Sequence, residues 1–170
     1  MTNAPPIPSL SLANFQAVTM TPNKHGWWNT IPGKPGWYAI ETDAPLSVIA
    51  KVPPPCGGSK HYPLAKRLSD VQFLISKGVA ITPAREGALF IVYSGEHGNL
   101  KSRAREHTHG HKGTGCMCLS QYESLCGYRW AFYYRTCEEH VPGSSGNKAL
   151  RTYLEQKWRG DYGWPILCAQ

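Results

Sequence analysis

Apolar and polar positions alternate in "GWYAIET" (36–42), and this period of two predicts a strand. A continuous apolar run, "ALFIVYSG" (88–95), predicts a second, buried strand. "RWAFYYRTC" (129–137) predicts a third. Between the first two, Leu64, Leu68, Val71, Phe73, Leu74 and Ile75 make an amphipathic helical pattern over 64–80, with Gly78 near its end. A short helix is expected over 98–107, with Asn99 as its N-cap, because its side chain can accept an orphan backbone N–H. "LSQYESLCGY" (119–128) is read as helical. A last helix over 147–163 carries Leu150, Leu154 and Trp158 at four-residue spacing.

The remaining segments are turn-rich. Residues 1–35 read as an irregular arm, with "HGWWN" either an aromatic anchor or a cap on the core. Residues 51–63 read as a loop, 107–118 as a Gly/His loop, and 164–170 as a short extended tail. Three strands and flanking helices predict a small α/β (α+β) sandwich. The first connection is too long for a tight hairpin.

A length of 170 residues suits one domain. The 41 % apolar content, with six Trp and nine Tyr, argues against a disordered chain. A formal net charge of +7 points to nucleic acid or another anionic surface as partner. No apolar run reaches the roughly 18 residues that a membrane span needs. The opening "MTNAPPIPSLSL" has no basic or apolar signal region, so a cytoplasmic protein is expected. Its cysteines are then expected as free thiols. A zinc site from Cys116, Cys118, Cys126 and Cys137 is the alternative, although the paired CxxC spacing is missing.

The chemistry-bearing residues fall in a recognisable order. "GWY" (36–38) is followed by "YSG" (93–95), then by Arg103 and His107 on "NLKSRAREH", then by Glu155 in "LRTYLEQKWR". This series resembles the GIY-YIG nuclease superfamily, over residues 36–42 and 88–168. The resemblance implies a three-stranded, mainly antiparallel sheet flanked by helices, in a domain of residues 36–170. A helical insertion (43–87), far longer than the family's usual link, then lies between the two motif strands, as in some restriction enzymes of the family. The family's asparagine after the glutamate is also missing, leaving Gln170 or a backbone group to take that place. The implied roles are Tyr38 as general base, Tyr93 orienting water or phosphate, Arg103 stabilising the phosphorane, His107 polarising the base and Glu155 binding Mg²⁺ or Mn²⁺. Lys101, Arg105 and Lys112 are expected to touch the nucleic-acid backbone.

The chemistry also stands without the family. Phosphodiester cleavage needs an activated nucleophile and charge neutralisation at phosphate. Arg103 and His107, four apart, share a helix face. A guanidinium matches phosphate oxygens, and a carboxylate suits Mg²⁺. Plainer explanations exist for each residue. Tyr93 reads equally as a core aromatic, Arg103 as the partner of Glu106, and His107 as a favourable charge at a helix C-terminus. Glu155 reads as the centre of an ion-pair ladder with Arg151 and Arg159. "HTHGH" (107–111) reads as a metal-binding or DNA-covering loop. The leading expectation is a Mg²⁺-dependent endonuclease of restriction type acting on double-stranded DNA, with the insertion and the N-terminal arm supplying base contacts in the major groove, as a homodimer at a palindromic site. A toxin DNase, a non-catalytic nucleic-acid-binding module and a zinc-binding structural protein are the alternatives.

Overall fold

The computed structural model describes residues 6–54, 63–111, 114–144 and 146–168. The strands are β1 (Gln16–Thr19), β2 (Gly36–Thr42), β3 (Ala80–Ile81), β4 (Phe90–His97), β5 (Trp130–Thr136) and β6 (Trp164–Pro165). The helices are α1 (Leu46–Ile49), α2 (Leu64–Asp70), α3 (Gln72–Ser76), α4 (Leu100–His109), α5 (Cys137–His140) and α6 (Lys148–Tyr162). The main sheet is antiparallel, in the order β1-β5-β2-β4. It has four strands where three were expected, because the arm supplies β1. That strand is only four residues long and mostly exposed, so it leaves little hydrophobic period to read.

β2 lies between β4 and β5 and is covered on both faces. Tyr38 and Ile40 join one core with Leu100 and Ala104 of α4, Leu64 and Leu68 of α2, and Phe132 of β5. Trp37 and Ala39 join a second core with Leu154 and Trp158 of α6 and Leu10 of the arm. The result is a sheet between two layers, with α4, the insertion and Met20, Trp28 and Ile31 of the arm on one side, and α6 with Leu10 of the arm on the other. The insertion carries α1 to α3 and ends in β3, which pairs in parallel with β6.

Three expected helices differ in detail. The 64–80 helix is broken at Val71 (φ −97°, ψ 6°) and ends at Ser76. Phe73, Leu74 and Ile75 are consecutive and cannot share one helix face; Phe73 turns outward and is 68 % exposed. Residues 119–128 form two 3₁₀ turns, Leu119–Gln121 and Glu123–Leu125. Leu119, Tyr122 and Leu125 are buried at three-residue spacing, the 3₁₀ period rather than the α period. α4 runs on to His109, so the first part of the expected Gly/His loop is helical. Asn99 caps it as expected, its Oδ1 accepting from the Ser102 N–H at 2.9 Å.

Candidate active site

Tyr38 is paired with Gly95 across β2 and β4. A Cβ on Gly95 would overlap the Tyr38 hydroxyl, and would lie 2.7 Å from its Cζ. The glycine of "YSG" is therefore required by the tyrosine of "GWY" lying across it. Gly36 has a similar reason: a Cβ there would run into the Arg135 carbonyl oxygen.

Tyr93 lies on the same face by plain alternation, two residues before Gly95 and opposite Ile40, and a bulge follows immediately beside it. Ile40 pairs with Tyr93 but Glu41 pairs with Ile91, which leaves Val92 as the extra residue. Val92 and Tyr93 consequently both join the core that holds Tyr38. The two tyrosine rings stack at 6.0 Å between centroids.

α4 brings Arg103 and His107 over these rings from one helix face. Arg103 Nε donates to Tyr38 Oη at 3.0 Å, Nη2 to Tyr93 Oη at 3.4 Å, and Nη1 pairs with Glu106 at 3.0 Å. All three guanidinium nitrogens are thus engaged within the site. His107 Nε2 lies 3.1 Å from Tyr38 Oη, while its Nδ1 accepts the Met117 N–H at 3.3 Å. A backbone N–H can only donate, so Nδ1 is bare. Burial, followed by the charges of Arg103 and Arg67, lowers the His107 pKa well below its usual value. The neutral ring then carries its proton on Nε2 and donates it to Tyr38. Two N–H groups converge on one phenol oxygen.

Burial holds the Tyr38 phenol well above its ordinary pKa; Tyr93 pushes the same way, and Arg103 opposes both. Tyr93 is also raised, first by burial and then by Cys168. Its hydroxyl donates to the Gly115 carbonyl at 3.1 Å. Arg103 is desolvated, yet the tyrosines and Glu106 raise its pKa, so it stays charged.

Glu155 stands on the other layer, on α6. A small cleft at β4 is lined by both Tyr38 and Glu155, together with Ser94, Gly95, Leu10 and Phe15. Glu155 forms an ion pair with Arg159, and Gln156 Nε2 donates to its Oε2 at 3.2 Å. Arg151 turns instead to Glu96 at 2.7 Å, so the expected ladder is half formed, and Arg151 and Glu155 are buried rather than on the surface. Burial raises the Glu155 pKa against the pull of Arg159. Its buried Oε1 lacks an aligned hydrogen bond. A single hard carboxylate suits a Mg²⁺ ion that keeps most of its waters, but Oε1 is the oxygen paired with the Arg159 guanidinium, so a metal bound there would displace that arginine.

Among the described residues, no group of three or more His, Cys, Asp and Glu side chains could hold a metal ion. The zinc reading of Cys116, Cys118, Cys126 and Cys137 is corrected accordingly: Cys137 sits in the α6-side core, and Cys116 Sγ accepts the His111 N–H at 3.2 Å. Arg105 is exposed on α4, and Lys101 Nζ reaches Asn29 O at 3.5 Å. Lys112, Gln170 and Cys56 lie outside the described residues.

One residue beside the site has no counterpart in the motif series. Arg67 of α2 is 1 % exposed. It donates to the carbonyls of Gly115 (3.0 Å), Cys116 (3.0 Å) and Leu167 (2.9 Å). It thereby fixes the strand of loop that receives the Tyr93 hydroxyl and the His107 ring. The available signal was its place between Leu64 and Leu68, a charge inside an apolar stripe. No protein-family model, curated protein or solved structure matches this chain.

Proposed function

We propose that the protein is a Mg²⁺- or Mn²⁺-dependent endonuclease of the GIY-YIG type that hydrolyses double-stranded DNA, a restriction-type enzyme acting in the cytoplasm as a homodimer. The observation that carries this reading is the convergence of Arg103 Nε and His107 Nε2 on the Tyr38 hydroxyl, at 3.0 and 3.1 Å. Burial keeps the Tyr38 phenol protonated at rest, so the base role requires its proton to pass to solvent first; the oxyanion left behind is held by both donors, with a further lone pair to accept a proton from water. Arg103 works through Tyr38 and Tyr93, since its nitrogens already serve them and Glu106. Tyr93 orients the ligand beside it. Lys101 and Arg105, on the outer turns of α4, take the DNA backbone. Glu155 would hold the metal, which when bound supplies charge for the phosphate oxygens and the leaving group.

A second reading, a DNA-binding module without catalysis, is favoured by the 2 % exposure of Tyr38. Plasmid DNA incubated with the protein and Mg²⁺, Mn²⁺ or EDTA separates the two. Cleavage dependent on the metal, and reduced at least about a hundredfold by Tyr38→Phe, as expected for loss of a general base, is the anticipated result. Intact plasmid under every metal, with a retained gel shift, selects the binding module. Discrete fragments rather than a smear identify the restriction type.

A further inference from the structure

A groove of about 600 Å³ lies between the end of the insertion and the C-terminal half of α6. Gln156, Arg159, Gly160, Tyr162 and Trp164 line one wall, and Gly78 belongs to the other. Gln156 and Gly160 are four apart, so α6 presents them on one face. A Cβ on Gly160 or Gly78 would meet nothing within 4 Å, so the absence of side chains keeps the groove open.

The lining has the chemistry of a nucleotide seat. The Arg159 guanidinium lies 4.8 Å from the Trp164 ring centroid. Its Nε and Nη2 are held by Ser94 and Glu155, while Nη1 has no hydrogen-bond partner among the described residues. Tyr162 is 55 % exposed and stacks on Trp158, which props its ring at the rim. Asp161, the anionic group of the lining, is neutralised by Lys157 at 2.8 Å. Arg159 also joins the groove to Glu155 and thus to the cleft that Tyr38 lines.

We propose that this groove seats the DNA strand beside the cut, with a backbone phosphate on Arg159 Nη1 and a nucleobase among Gln156, Tyr162 and Trp164. Aromatic rings stack on any base, a guanidinium takes phosphate, and a glutamine amide reads a base edge. The seat rests on the endonuclease reading for its place in the reaction, but its binding is separable from cleavage.

The test is fluorescence anisotropy of a short labelled DNA duplex with Ca²⁺ replacing Mg²⁺, alongside plasmid cleavage with Mg²⁺. Gly160→Trp fills the groove. Gly127→Trp adds the same bulk at an exposed turn where a Cβ meets nothing within 4 Å. Gly160→Trp is expected to weaken DNA binding at least about tenfold, the scale of one lost base stack, while Gly127→Trp binds as the unaltered protein does. Equal affinity of the two variants overturns the seat, and so does an unaltered protein that binds no DNA. If Gly160→Trp melts well below the unaltered protein, the double variant Gln156→Ala/Tyr162→Ala replaces it, with the same tenfold loss expected and unchanged affinity overturning the seat. An unaltered protein that never cleaves, but loses binding in Gly160→Trp, retains the seat and rejects the endonuclease. Normal cleavage and binding by Gly160→Trp reject the seat alone.

Discussion

At the scale of single residues, His107 joins stability to the candidate site. It is 0 % exposed and neutral, held between the Met117 N–H and the Tyr38 hydroxyl. Its folded pKa is depressed, whereas in the unfolded chain it titrates near its ordinary value, about 6.5. Below that pH the unfolded chain binds the extra proton, so folded stability falls as pH drops from about 6.5 towards the native pKa, by at most about 1.4 kcal/mol per pH unit. Thermal melting from pH 7 to 5 should show a decline that His107→Gln makes shallower, because Gln supplies an N–H to Tyr38 without titrating. His109 and His140 are depressed in the same sense and leave a residual slope. Parallel slopes in the two proteins would show that His107 is not the titrating group. The residue types and order of Tyr38, Tyr93, Arg103 and His107 were legible from the sequence. Which nitrogen faces which oxygen was not, because the Met117 N–H that sets the His107 tautomer arrives from a loop ten residues on.

At the scale of elements, strand register and a glycine decide whether the two tyrosines meet, and a bulge adds Val92 to their face. "ALFIVYSG" is apolar at nearly every position, so its pattern carries no face information, and the extra residue at Val92 could not be placed from it. Arg67 was hidden for a related reason: an apolar stripe locates a helix face but not what a buried guanidinium on it must find. By contrast α4 and α6 were readable, α4 from its Asn99 cap and α6 from the four-residue spacing of Leu150, Leu154 and Trp158, which are local signals. The close approach of Tyr38 to Gly95 yields a direct test. Gly95→Ala places a methyl where the Tyr38 hydroxyl lies, and the ring must leave Arg103 and His107. Overpacking of this kind costs about 1–3 kcal/mol. The variant should melt several degrees lower and lose DNA cleavage to the extent that Tyr38→Phe does. Wild-type cleavage by a folded Gly95→Ala would remove Tyr38 from the reaction.

At the scale of the whole molecule, distant segments complete the site's surroundings. Arg67 ties the insertion to the 115–116 loop and to Leu167 of the tail; without it the Gly115 carbonyl keeps the Tyr93 hydroxyl, but the Cys116 and Leu167 carbonyls lose their donor, at about 1–3 kcal/mol each. Arg67→Met should therefore lose about 2 kcal/mol or more in urea unfolding, and Arg67→Lys, with fewer donors in a different geometry, only part less. A loss below 1 kcal/mol in Arg67→Met would mean that the loop is held by other contacts.

The arm poses the broader question of whether it reads bases or completes the fold. β1 pairs with β5 along all four residues, Tyr134 Oη donates to Gln16 Oε1 at 2.9 Å, and Leu10 and Met20 are buried in different cores. Leu10 and Phe15 also line the cleft beside Glu155. Burying each of Leu10 and Met20 contributes roughly 1.5–3 kcal/mol. Removal of residues 1–20 should thus cost at least about 3 kcal/mol, which lowers the melting temperature by roughly 6–12 °C in a chain of this size. It should also uncover Glu155 and bring its pKa back towards the ordinary carboxylate value, since burial is what raises it. Calorimetry gives the first number, and NMR titration of a labelled Glu155 carboxyl the second. A truncated chain that melts like the full one, with the Glu155 titration unmoved, would make the arm a free appendage available for DNA contacts. A large loss with the carboxyl shifted makes it a wall of the cleft, and base reading then falls to the groove and the insertion.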